Sequence, residues 1–233
     1  MRLLKSIALF IALVVLFLAV PIFFTDKQPP VNQQTAEGLP WQIEILPDGG
    51  SRVFGIMLGQ STFNEVRQAF GDEGALALIV APGETGSVEA YFEKINAGFV
   101  TGKLLLTIQS TVAAREVMLQ RAVKADYMDS TTKRITLNEI DIEAMQKSPI
   151  IGVSFIPSAS LDEEIIQQRF GMPAERIRGS EHTEHFLYPD RGLDLILDRK
   201  GKEVLQYVAP KNFASLRDPL LAAAQTMSAG PAK

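Results

Sequence analysis

The chain has 233 residues, 46% apolar and 21% charged, with a formal net charge of −4 and no cysteine. That length allows one large domain or two small ones with a real core. The acidic balance excludes a generic basic nucleic-acid binder, so no nucleic acid is expected as a partner. The missing cysteine excludes disulfides, thiolate-bound zinc, iron–sulfur clusters, thiol catalysis and a lipid-modified N-terminal cysteine.

The first element in chain order is apolar. Ile7 to Phe24 is a run of 18 residues without a charge, about 27 Å if helical and close to the hydrocarbon thickness of a bilayer. Arg2 and Lys5 precede it, which predicts a cytoplasmic N-terminus and an exported remainder. A cleaved signal needs small residues just past the apolar core. Ala19 to Thr25 offers mostly bulky ones, so an uncleaved anchor over 1–25 is the leading reading, cleavage the competing one and a buried soluble helix the last. Without Arg2 and Lys5 the chain keeps 21 basic and 27 acidic residues, a charge of −6. This predicts a bacterial inner-membrane protein with residues 26–233 periplasmic.

Residues 26–40 hold three prolines and few apolar side chains, the composition of a linker. A first α+β unit is expected over 41–149. Trp41 to Ile45 alternates like a half-buried strand, which favours the core over a membrane-facing anchor for Trp41, and Val53 to Leu58 is a second apolar run. Thr62 and Glu65 form a capping box ahead of Phe63, Val66 and Phe70, with Gly71 placed to end that helix. Strands are expected at 75–81, 87–94 and 99–109, a helix from Val112 to Tyr127 and a shorter helix at 138–147.

A second unit is expected over 150–210. Ile150 to Ile156 is strand-like, and Ser160-Leu161-Asp162-Glu163 reads as another capping box for a helix that also ends Phe-Gly, at Phe170-Gly171. Strands at 183–188, 193–198 and 203–208 follow, joined by Asp190-Arg191-Gly192 and Arg199-Lys200-Gly201. A strand, a capped helix ending Phe-Gly and antiparallel strands therefore occur twice, which suggests an internal duplication. Residues 211–233 read as a tail with one short helix from Phe213 to Met227. The fold class expected is α+β: an N-terminal transmembrane helix, then one or two units of short helix plus antiparallel β-meander.

The second unit carries a family resemblance. Its helix ending Phe170-Gly171-Met172-Pro173, the strand with Tyr188 and the hairpin with Gly201 before its last strand resemble the BamE/SmpA envelope modules. The resemblance is best over about residues 150–208. The first unit, with Phe54-Gly55, Leu58 to Thr62 and Phe70-Gly71, is similar at greater distance. The lipobox cysteine of the family's outer-membrane lipoproteins is absent here. The resemblance implies a non-catalytic interaction module and names no partner.

Candidate chemistry is sparse. The two histidines lie in Glu181-His182-Thr183-Glu184-His185, which matches neither H-E-x-x-H nor H-x-x-E-H. On a strand, His182 and His185 would face opposite ways. A polar loop is therefore favoured over a metal site. Pro82 to Ser87 lacks the lysine of a P-loop, and no Ser or Thr follows Gly102-Lys103. Asp162, Glu163 and Glu164 suit the first turn of a helix. Arg176, Arg178 and Arg191 could form a basic patch, with a solvated surface the favoured account, and Tyr188 and Tyr207 read as core first and interface second.

No catalytic, cofactor-binding or metal-binding residue is assigned, no cofactor is expected, and the chain is not expected to be an enzyme. The expected function is that of a membrane-anchored envelope protein. Its partners would be the bilayer, through residues 7–24, and an envelope protein bound at sheet edges and at the turns 190–192 and 199–201. Two alternatives stand beside it: a module for lipid or another small ligand, and a metal-dependent enzyme using His182 and His185.

Overall fold

The apolar run Val53–Leu58 does not continue as one strand. In the computed structural model, which describes residues 37–128 and 131–228, Phe54 and Gly55 both adopt positive φ, 54° and 79°. This is the backbone of a two-residue hairpin turn, joining β2 (Ser51–Val53) to β3 (Ile56–Met57). Glycine takes that conformation freely, whereas phenylalanine does so at a cost. Burial holds Phe54 in place: its ring centroid lies 5.1 Å from that of Phe155 and 5.5 Å from that of Tyr207. With β1 (Glu44–Ile45) these strands form a three-stranded antiparallel sheet.

The other strands form one sheet of ten, all neighbours antiparallel. They are β4 (Ala75–Val80), β5 (Ser87–Ala97), β6 (Val100–Ile108), β7 (Lys124–Tyr127), β8 (Lys133–Thr136), β9 (Ile150–Pro157), β10 (Glu175–Arg178), β11 (Thr183–Tyr188), β12 (Leu193–Asp198) and β13 (Val204–Val208). Their spatial order is β10-β11-β12-β13-β9-β6-β5-β4-β8-β7. Five α-helices are present among the described residues: α1 (Phe63–Phe70), α2 (Val112–Gln120), α3 (Glu139–Gln146), α4 (Glu163–Phe170) and α5 (Ala214–Ser228).

This corrects the expected fold class. Instead of one or two separate helix-plus-meander units behind a transmembrane helix, the protein is mostly one continuous antiparallel sheet with a small second sheet. The reason lies in β9. Its Phe155 pairs with Leu104 of β6 on one side and with Leu205 of β13 on the other. The central strand thus buries both of its edges, which fuses the strands of the two expected units into one hydrogen-bonded ladder.

The membrane expectations are corrected too. The segment 7–24, read as a transmembrane anchor, lies outside the described residues. Among the described residues no helix is long and apolar enough to cross a membrane. The longest, α5, has 15 residues and carries Arg217, Asp218 and Pro219, and its length of about 22 Å falls short of a bilayer core. The placement in a bacterial inner membrane with a periplasmic domain is therefore not upheld.

Two apolar layers flank the sheet. The larger gathers Leu78, Phe92, Leu106, Phe155, Leu195 and Tyr207 with Phe63 and Val66 of α1 and Ile166 and Phe170 of α4. Capping fixes where those helices start. Thr62 N–H donates to Glu65 Oε2 at 2.7 Å, and Glu65 N–H returns a bond to Thr62 Oγ1. At α4 the cap is Asp162, accepting from Ile165 N–H at 2.8 Å, rather than Ser160. Tyr207 Oη donates to the Pro40 carbonyl at 2.9 Å, and burial pushes its pKa well above the ordinary tyrosine value. The smaller layer, Ile177, Leu187 and Phe213, is covered by Leu216, Leu220, Leu221 and Ala224. Leu187 alternates with Phe186 and Tyr188 of the larger layer, so α5 covers the opposite face of the sheet.

Candidate functional site

The histidine pair does not assemble. His185 lies on β11, 8% exposed, with Nδ1 2.8 Å from Asp194 Oδ2 and 3.1 Å from Oδ1. Asp194, on β12, is 1% exposed. A β-carbon placed on Gly179 would lie 2.8 Å from His185 Nε2, so backbone closes the far side of the ring. His182 precedes the strand and is partly exposed, its Nε2 3.8 Å from the Glu181 carboxylate. Among the described residues no group of three or more His, Asp or Glu is placed to hold a metal ion. His185 and Asp194 form a buried polar pair inside the sheet, on the two strands expected at 183–188 and 193–198, but the pairing itself was not foreseen.

The arginine patch, the less favoured reading, does not assemble either. Arg191 Nη1 donates to the Phe170 carbonyl at 2.7 Å, and its guanidinium lies 5.9 Å from the Tyr188 ring centroid. It therefore locks the end of α4. Arg176 is fully engaged: it grips both carboxylate oxygens of Glu184 at 2.9 and 3.0 Å, reaches Glu163 at 2.7 Å and sits 4.4 Å from the Phe186 ring centroid. The Glu184 pairing, and then Glu163, raises its pKa further above the ordinary guanidinium value. Arg176 in turn holds the Glu184 carboxyl below its usual range. Such a bidentate pair gives fixed geometry as well as energy.

What remains open is the outer edge of β10. This strand has a single neighbour, β11. Gly179 N–H donates to the Thr183 carbonyl, with Ile177 opposite His185 in register. Antiparallel alternation then turns the N–H and C=O groups of Arg176 and Arg178 outward. Beside this edge runs a groove of about 810 Å³. Ile177, Leu221 and Ala224 give it an apolar floor, with Arg176, Arg178 and Glu181 around it. Next to it, a smaller hollow of about 180 Å³ is lined by Arg178, His182, Glu184 and Arg199. Arg199 is well exposed, at 3.8 Å from Glu184.

Sequence reasoning missed β10, because Glu175-Arg176-Ile177-Arg178 contains one apolar residue and no alternation long enough to count. The one available signal was Pro173 ending the helix, followed by an apolar residue between two charges. Trp41 is half-buried, with Arg169 over its ring at 4.8 Å and Phe170 edge-on at 6.3 Å. It belongs to the cover of the larger layer. Comparison with protein-family models, with curated proteins and with solved structures finds no match for this chain.

Proposed function

We propose that the protein is a non-catalytic protein–protein interaction module that receives an extended segment of a partner along β10. The observation that supports this most strongly is the open β10 edge beside an apolar-floored groove. An added strand gains main-chain hydrogen bonds from the unpaired edge and side-chain selectivity from the pockets beside it. Arg178 and Arg199, exposed near that edge, favour a segment that alternates acidic and apolar residues. The resemblance of residues 150–208 to BamE/SmpA modules leans the same way.

A small apolar ligand is the second reading, because about 810 Å³ lies within the range of ligand sites. It would have to use the same groove, since Phe63, Phe92, Phe155 and Phe170 fill the layer between helices and sheet.

The test is capture by the full chain in three forms: natural, Ala224→Trp, which fills the groove from α5, and His182→Ala as the control. The proposal expects a recurrent partner that the natural chain retains and Ala224→Trp loses, while His182→Ala retains it. Equal recovery by Ala224→Trp would overturn the β10 site. A small molecule seen by native mass spectrometry, with no protein retained, would favour the ligand reading.

A further inference from the structure

The opposite end of the sheet carries a second edge, β7, and its sequence is complementary to itself. All four residues of β7 are exposed. Tyr127, its last residue, is 71% exposed, and Val123, which precedes the strand and donates its N–H to the Thr136 carbonyl, is 68% exposed. Met128 N–H donates to the Thr132 carbonyl, and the register pairs Lys124 with Thr136 and Asp126 with Arg134. Alternation along the strand turns the backbone groups of Ala125 and Tyr127 away from β8.

We infer that β7 pairs antiparallel with β7 of a second copy of this chain, about a two-fold axis through Ala125. In that register Lys124 stands opposite the partner's Asp126, Ala125 opposite Ala125 of the partner subunit, and Val123 opposite the partner's Tyr127. Every opposed pair is then opposite in charge or apolar. The register also brings the outward-facing Ala125 groups of both copies into one hydrogen-bonded pair. Moving the axis to residue 124 would oppose two lysines, and moving it to residue 126 would oppose two aspartates. Both are destabilising. Axes lying between two residues would set outward backbone groups against inward ones.

In the single chain Lys124 and Asp126 bond each other at 2.8 Å, side chains 67% and 48% exposed. On pairing they exchange that partner for its equivalent across the axis. An edge lysine ordinarily repels a foreign strand. Here the aspartate two residues on lets the chain's own copy in and keeps other strands out. The apolar side of the pair, Val123, Ala125 and Tyr127, is on the face of Ile135, which is buried in the larger layer. Pairing would extend that layer across the axis.

The test uses the full chain and its lack of cysteine. Ala125→Cys would place two thiols opposite each other at a hydrogen-bonded pair, about 5.5 Å between α-carbons and within disulfide reach. Mild oxidation should give a covalent dimer, whereas Lys103→Cys on β6 should not. Sedimentation then reads the charge code. Lys124→Asp and Asp126→Lys should each weaken dimerisation about tenfold, and mixing the two singly substituted chains should restore it. All four positions are exposed, so folding is not at stake. A natural chain that sediments as a monomer, or association unmoved by either substitution, would overturn the inference. Because Ala224→Trp lies at the far end of the sheet, it should leave dimerisation unchanged, which separates this inference from the β10 reading.

Discussion

The two ends of the ten-stranded sheet are built differently. At the β10 end, α5 covers one face, Arg176 pairs with Glu163 and Glu184, and Arg217 meets Glu175 at 3.0 Å. At the β7 end the hairpin β7–β8 joins the sheet only through Leu78, Ile79 and Val80 of β4, with its outer strand bare. The first end is a supported edge beside a groove, and the second is a thin arm. An edge that is to receive a foreign segment benefits from a rigid frame, because rigidity lowers the ordering cost on binding. An edge that pairs with its own copy can leave that ordering to the dimer.

The largest effects should come from the buried pair behind the β10 edge. Asp194→Ala or His185→Ala leaves the other group buried without its partner, a loss of about 3 kcal/mol on the scale of broken buried pairs. A urea midpoint shift measures it. His182→Ala should change the stability so measured by less than about 0.5 kcal/mol. If the two histidines behaved alike, the separation of their roles would be wrong.

At the β7 end the corresponding support is Arg121, whose Nε lies 3.0 Å from Oδ2 of the buried Asp141. Arg121→Ala should destabilise the fold by less than the loss at His185, because Arg121 itself is half-exposed. It ties the α2 end to α3, so hydrogen exchange should quicken in α3 before it does in β11.

A smaller effect is expected from acid. Arg176 holds the Glu184 carboxyl below its ordinary value of about 4.5. That contribution is complete above the unfolded carboxyl's pKa and is lost as pH falls through the lower folded value. Arg176→Gln should therefore flatten the fall of stability below about pH 4.5. An unchanged acid profile would remove Glu184 as a source of it.

Local structure was legible wherever one stretch of chain decides it. The box of Thr62 and Glu65 and the stop at Gly71 bound α1 as expected, and β11 and β12 match the strands read at 183–188 and 193–198. Gly192 shows why the turn between them could be read. Its φ is 64°, and a β-carbon there would lie 1.9 Å from the Val208 carbonyl oxygen. Where tertiary pairing decides, the reading failed. The stretch Val112–Tyr127 was read as one helix. The chain leaves the helix at Gln120, and Lys124–Tyr127 instead pairs with Lys133–Thr136, which has no strand-like period of its own. The fusion through β9 was illegible for a related reason. A continuous apolar run tells that both faces are buried, not which strands flank it. The His185–Asp194 pair depends on strand register, which spacing alone does not supply.

The central claim is that a partner protein engages the β10 edge. A photo-crosslinking amino acid placed at Arg178 of the full chain tests it most directly, with Asp72, an exposed residue beyond α1, as the comparison position. One recurrent protein adduct is expected at position 178, absent at 72 and abolished by Ala224→Trp. The same adducts at both positions, or none at 178 while 72 still crosslinks, would contradict it.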